Sequence, residues 1–177
     1  TRAHVSRDQR VLVYGASGSV GTFAVQLAKH FGAHVTAVCS DANVALALSL
    51  GADSVIDYTR EALDRRGVNY DVVFAAVNAC PFADCMRVLA ADGIYLNVAE
   101  PMRTWPMWWA TLAKGRRIVT GEMAQPNADD LTLLKDLIEH GHVRAVIDRR
   151  YPLDAIVDAH RYVDQGHKRG SVVVTVP

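Results

Sequence analysis

The chain has 177 residues, enough for one domain with an appendage. Half of its residues are hydrophobic, and 19 basic side chains balance 19 acidic ones. That balance excludes the basic footprint of a nucleic-acid binder or an anionic-membrane binder.

The first predicted strand is the apolar run Val11-Leu12-Val13-Tyr14. Gly15-Ala16-Ser17-Gly18-Ser19-Val20-Gly21 follows, and an amphipathic helix is predicted over residues 19–31. Its apolar positions, Val20, Phe23, Ala24, Leu27, Ala28 and Phe31, recur at helical spacing and give a face to pack on a sheet. A buried strand, a tight glycine turn and a helix N-terminus in that order form a site for a dinucleotide pyrophosphate. Glycines let the backbone approach the phosphates, and first-turn N–H groups have no acceptor inside the helix. The glycine spacing is G-x-x-G-x-x-G rather than G-x-G-x-x-G, so the element order adds weight that the motif alone lacks.

Further along, residues 33–38 read as a second strand, 42–50 as a helix and 54–57 as a third strand. Residues 60–66 read as a short helix, 71–76 as a fourth strand, and 81–91 as a helix with proline in its first turn. A fifth strand is expected over 94–98 and a sixth over 117–122, joined by a Trp-rich helical connection around 105–113. This alternation predicts an α/β fold, a Rossmann-type doubly wound parallel sheet covered on both faces. From Asn127 the pattern changes: a helix over 131–140 stopped by Gly141, a short apolar 146–147, a helix over 152–166 and a strand over 171–176. The division expected is residues 1–126 for a dinucleotide-binding domain and 127–177 for a helix-strand appendage.

The three cysteines, Cys39, Cys80 and Cys85, are odd in number and lack a C-x-x-C pair, which points to a reducing compartment such as the cytoplasm. There is no H-E-x-x-H pair among the histidines, so no metal site is expected. His160, His167 and the Arg149-Arg150 pair read as solvated surface groups. The most apolar stretch, near residues 105–113, is far too short to span a bilayer.

Several segments together carry a family resemblance. They are the strand and glycine loop above, Ala24-Val25-Gln26-Leu27-Ala28-Lys29, and Leu50-Gly51-Ala52-Asp53-Ser54-Val55-Ile56-Asp57-Tyr58. The tail adds Val146-Ile147-Asp148-Arg149-Arg150-Tyr151-Pro152-Leu153 and Gly166-His167-Lys168-Arg169-Gly170-Ser171-Val172-Val173. Over nearly its whole length the chain resembles the zinc-independent, quinone-oxidoreductase-like branch of the medium-chain dehydrogenase/reductase superfamily. The resemblance implies an N-terminal GroES-like catalytic domain preceding Thr1, with residues 127–177 belonging to the returning part of that domain.

By this resemblance Ser17, Gly18, Ser19 and Val20 meet the pyrophosphate, while Ser40 and Asn43 lie at the adenosine ribose. The family loop often reads Cys-Ser-Thr-Arg-Asn, its arginine favouring the NADP phosphate; here it reads Cys39-Ser40-Asp41-Ala42-Asn43. Asp41 either selects NAD by accepting from a free ribose diol or caps the following helix. Tyr58 matches a family tyrosine near the 2′-phosphate, so NADP and NAD both stay open. Val77 and Asn97 are expected beside the nicotinamide ribose, where Asn78 and Ala99 replace family glycines; Ser171 replaces a tail lysine.

The implied activity is NAD(P)H-dependent reduction of an activated carbonyl, enone or quinone, without zinc and with no catalytic acid or nucleophile in this chain. The alternative is a non-catalytic nucleotide-binding or dimerisation module. A homodimer is expected through the sheet edge at Ile118-Val119-Thr120-Gly121. A short-chain dehydrogenase would need Tyr-x-x-x-Lys, and none of the six tyrosines has a lysine four residues later.

Overall fold

The computed structural model describes residues 4–99, 117–120 and 127–176. Six strands form one sheet in the order β3-β2-β1-β4-β5-β6. They are β1 (Arg10–Tyr14), β2 (His34–Cys39), β3 (Ser54–Asp57), β4 (Tyr70–Ala75), β5 (Leu89–Asn97) and β6 (Arg117–Thr120). Every neighbouring pair is parallel. Between them lie α1 (Ser19–His30), α2 (Val44–Ser49) and α3 (Phe82–Val88). This is the doubly wound sheet expected from the alternation of elements.

The strands read as continuous apolar runs because both sheet faces are covered. Along β1, Val11 and Val13 enter the core beneath α1 and α2, while Leu12 and Tyr14 enter the opposite core beside α3. Along β4, Val72 joins the first core, and Val73 and Ala75 the second. A one-residue slip would exchange these sets, so burial fixes the register.

The buried face of α1 differs from the expected one. Gly21, Thr22, Val25, Gln26 and Ala28 are its buried positions, so mostly short side chains bring the helix close to the sheet. Val20, Phe23, Leu27 and Phe31 instead flank an open apolar groove of about 300 Å³, facing Phe74 and Leu96.

The expected helix over 81–91 ends early. The chain leaves α3 at Val88, and Leu89 pairs with Tyr70 before the register shifts, so that Ile94 pairs with Val72. Leu89 is 1% exposed, and its burial draws the chain into the strand. Gly93 passes so close to Leu89 that a β-carbon there would lie 2.7 Å from its Cδ1. The helix expected over 42–50 divides into a 3₁₀ turn, Asp41–Asn43, and α2.

The remainder contains α4 (Ala128–Glu139), β7 (Ile147–Pro152), α5 (Ile156–Asp164) and β8 (Ser171–Thr175). β7 and β8 form a separate parallel pair. The sequence showed only residues 146–147 as strand-like, because Arg149 and Arg150 break the apolar pattern. Arg149 is not merely solvated: its guanidinium lies 4.0 Å from the Tyr162 ring centroid, a cation–π arrangement. Tyr162 donates to Asp148 at 2.6 Å, fixing α5 to β7.

Among the described residues β6 is the outer strand of the large sheet. Gly121 of the expected dimer edge and the Trp-rich connection lie outside the described residues, as does residue 126 on the near side of the expected division. No helix among the described residues is long and apolar enough to cross a membrane.

Candidate functional site

A cleft of about 510 Å³ opens at the carboxyl ends of β1, β2 and β4. It lies between β1 and β4, where the strand order reverses. Parallel α/β sheets bind ligands at that point, because adjacent loops diverge there to opposite faces.

Gly15 makes the turn out of β1 with φ +81°. Its neighbours close at once: the Gly15 and Ala16 N–H groups both donate to the Val38 carbonyl at 3.1 Å. The first bond of α1 runs from Thr22 N–H to the Gly18 carbonyl at 3.0 Å. The N–H groups of Ser19, Val20 and Gly21 therefore have no acceptor within the helix. A β-carbon on Gly21 would lie 2.1 Å from the Gly15 carbonyl oxygen, so only glycine allows the helix to start this tightly. Oriented amides and the positive end of the helix dipole together favour an anion.

The structure brings Ser17, Gly18, Ser19, Val20, Ser40, Asn43, Tyr58 and Val77 together around this cleft. Asn43 is 7% exposed. Its Nδ2 donates to Ser40 Oγ at 3.2 Å, while its buried Oδ1 has no partner among the described residues. A buried acceptor without a donor costs about 1–3 kcal/mol, which a ligand hydroxyl would recover. Tyr58 stacks on Tyr14 with centroids 6.4 Å apart.

Two expected residues stand elsewhere. Asp41 neither caps α2 nor lines the cleft; its carboxylate lies 3.5 Å from Arg60, and both side chains are largely exposed. Asn97 is buried at the end of β5, its Oδ1 accepting from Ala99 N–H at 3.0 Å.

The tail supplies what the sequence reading missed. Gly170 N–H donates to the Ser17 carbonyl at 2.7 Å. Ser19 Oγ donates to the Gly170 carbonyl at 2.8 Å. Lys168 Nζ donates to Ser19 Oγ at 2.5 Å and to the Gly170 carbonyl at 2.7 Å. Lys168 and His167 thus line the cleft beside the glycine loop, His167 with φ +63°. His167 is exposed, as expected of a surface group, and it also borders the cleft. The available signal was the glycine-rich tail itself, whose Gly170 at φ +68° passes against Val146.

Two titratable groups of the cleft are shifted by burial. Burial, with Cys80 and Cys85 nearby, pushes the Tyr14 hydroxyl up to about 12. Burial, with Asp57 beside it, pushes the Cys39 thiol up to about 11. Both stay protonated near neutral pH. The arrangement carries no poised acid or base in these two groups.

The sequence model of the zinc-binding dehydrogenase family matches residues 50–174. The chain is 34% identical over 173 residues to the chloroplast envelope quinone oxidoreductase homolog of Arabidopsis thaliana, covering 95% of this chain and 53% of that protein. It is 34% identical over 177 residues to the chloroplastic NADPH-dependent alkenal/one oxidoreductase of Arabidopsis thaliana, covering 98% of this chain and 42% of that protein. The structure of the quinone oxidoreductase from Coxiella burnetii superposes with a TM-score of 0.86 at 28% identity, over 99% of this chain and 55% of that one. The chain spans about half the length of the curated relatives it matches.

Among the described residues no three His, Cys, Asp or Glu side chains converge on a metal-sized site. With the fold, the cleft and these likenesses in agreement, the chain belongs to the zinc-binding dehydrogenase family of medium-chain dehydrogenase/reductases and is similar to its quinone oxidoreductases.

Proposed function

We propose that this chain is the NAD(P)H-binding portion of a zinc-independent oxidoreductase that reduces an activated carbonyl, enone or quinone. One observation carries the reading: a glycine loop whose helix-start amides face a cleft at the strand-order reversal, with Lys168 anchored beside them. The nicotinamide, when bound, supplies the hydride. The chain's residues bind and orient. The α1 amides and Lys168 hold the diphosphate, Asn43 and Ser40 receive an adenosine ribose hydroxyl, and Tyr58 covers the adenosine end. Val77 packs against Gly15 and sets the wall on the nicotinamide side. The described cleft donates no proton through Tyr14 or Cys39, so proton delivery to substrate falls to solvent or to residues beyond this cleft.

Residues 1–126 form the cofactor domain in this reading, and residues 127–177 belong to the catalytic domain while closing the cleft. The outer edge of β6, the last strand among the described residues of the large sheet, is the proposed homodimer edge. The three cysteines are free thiols, in keeping with a reducing compartment such as the cytoplasm.

The test is a titration of NADPH and NADH followed by nucleotide fluorescence. Saturable binding of either, lost in Gly18→Leu, is the expected result. Binding unaffected by that substitution removes the diphosphate assignment. A quinone or enone turnover assay then separates a reductase from a bare binding module.

A further inference from the structure

Cys80 and Cys85 stand outside the binding scheme above. We propose that they are a redox-responsive pair: mild oxidation joins them in an intramolecular disulfide that tethers the loop at residues 76–80 to α3. Their sulfurs lie 3.0 Å apart in the thiol form. A disulfide bond is about 2.04 Å long, so closure needs a movement of about 1 Å.

The surroundings give the two thiols different parts. Cys85 is 0% exposed, in the first turn of α3 within the core. Its N–H and that of Asp84 both donate to the Pro81 carbonyl at 3.1 Å, so its backbone is fixed. Cys80 is half-buried on the loop, where an oxidant can reach it. The hydrogen bond to Cys80, together with burial, holds the Cys85 thiol far above its ordinary range. Cys85 keeps its proton until an oxidised partner is present to take it.

With a peroxide as oxidant the step balances. The Cys80 sulfur attacks one peroxide oxygen, the O–O bond breaks, and water leaves with a sulfenic acid on Cys80. The Cys85 sulfur then attacks the Cys80 sulfur; the S–O bond breaks, and the hydroxyl leaves as water with the Cys85 proton. Two thiols lose two electrons, and hydrogen peroxide becomes two waters. A dithiol reductant reverses it by exchange.

The consequence reaches the cleft. Val77 and Ala79 line it, and Cys80 N–H donates to the Val77 carbonyl at 3.3 Å. Val77 also packs on the Gly15 turn. A covalent tie at Cys80 restrains the segment between these points. This inference stands apart from the dinucleotide reading, since neither readout below needs a bound cofactor.

The experiment treats the full chain with stoichiometric hydrogen peroxide near neutral pH, records the intact mass, then alkylates a second portion under denaturing conditions. Intact mass is expected to fall by about 2 Da, with free thiols dropping from three to one. The tryptic segment 67–87 contains both cysteines, and it should escape alkylation while Cys39 is alkylated. Dithiothreitol should restore the original mass. Cys80→Ser should show no such loss of mass. Amide exchange at residues 76–80 should slow in the oxidised chain. Sulfinic acid on Cys80, cross-linking between chains, oxidation of Cys39 first, or unchanged exchange in the disulfide form would each overturn the proposal.

Discussion

Lys168 Nζ lies 2.5 Å from Ser19 Oγ, at the first residue of α1. A cation there faces the positive end of the helix dipole, an arrangement that disfavours the empty cleft and favours one holding an anion. Lys168→Ala is therefore expected to leave the melting temperature of the free chain unchanged or slightly higher. It should weaken dinucleotide binding by roughly tenfold, the worth of one charge-assisted hydrogen bond. Fluorescence titration at low and moderate salt checks this, with the difference shrinking as salt rises. Unaltered affinity would assign Lys168 to tail anchoring alone.

The two glycines of the loop should separate folding from binding. A β-carbon on Gly18 has only an ordinary contact, 3.5 Å from the Gly15 carbonyl oxygen, and φ at Gly18 is −80°. On Gly21 it would collide with backbone at 2.1 Å and 2.8 Å. Gly18→Ala should fold normally. Gly21→Ala should lose on the order of 2–4 kcal/mol, because backbone on both sides must shift. Urea denaturation of both variants measures the contrast, and equal stabilities would contradict the close approach of helix and strand.

These glycines also show how far sequence reaches. Buried parallel strands announce themselves as apolar runs, so β1, β2 and β4 were plain in the sequence. The glycine loop was legible because its chemistry is local. β7 was not, since its exposed Arg149 and Arg150 follow no apolar alternation and the strand is held by a partner over twenty residues away. Lys168 was not, because its role comes from a tail brought back onto the loop, a contact that no local pattern encodes. Asp41 sits at the spacing of a ribose-binding acid, yet a side chain's direction depends on its neighbours, and here Arg60 takes it.

That pairing yields a prediction about cofactor choice. Its carboxylate holds the Arg60 guanidinium at 3.5 Å in the loop beside the cleft. Asp41→Asn removes a charge that repels a 2′-phosphate and leaves Arg60, held then among the described residues only by Asp57 at 3.5 Å, closer to a net positive field. The ratio of NADPH to NADH affinity should rise by about three- to tenfold, almost wholly through NADPH. Because both side chains are exposed, stability should not change. An unchanged ratio would show that the pair lies too far from the ribose to act.

Asp53 sits within the Leu50-Gly51-Ala52-Asp53 segment that helped mark the family, and its work is structural. Its Oδ2 accepts from Val35 N–H at 2.8 Å and its Oδ1 from Lys29 Nζ at 2.5 Å, so one carboxylate joins α1, β2 and the start of β3. Burial alone would raise its titration range. The Lys29 hydrogen bond, the Val35 amide and the Lys29 charge together outweigh burial and hold it below the ordinary carboxylate value. The folded state therefore favours the ionised form. Its contribution is full above the unfolded value of about 3.9 and is lost as pH falls through the lower folded value. Both side chains are about two-fifths exposed, so solvent screens the ion pair. Asp53→Asn should cost no more than ~1 kcal/mol at pH 7. Asp53→Ala should cost a further ~1–2 kcal/mol by leaving the Val35 amide without its acceptor. In urea denaturation the gap between wild type and Asp53→Asn should close towards pH 3, while the Asp53→Ala penalty persists in part. A gap that widens in acid would mean that the protonated carboxyl, and not the carboxylate, is the form the fold holds.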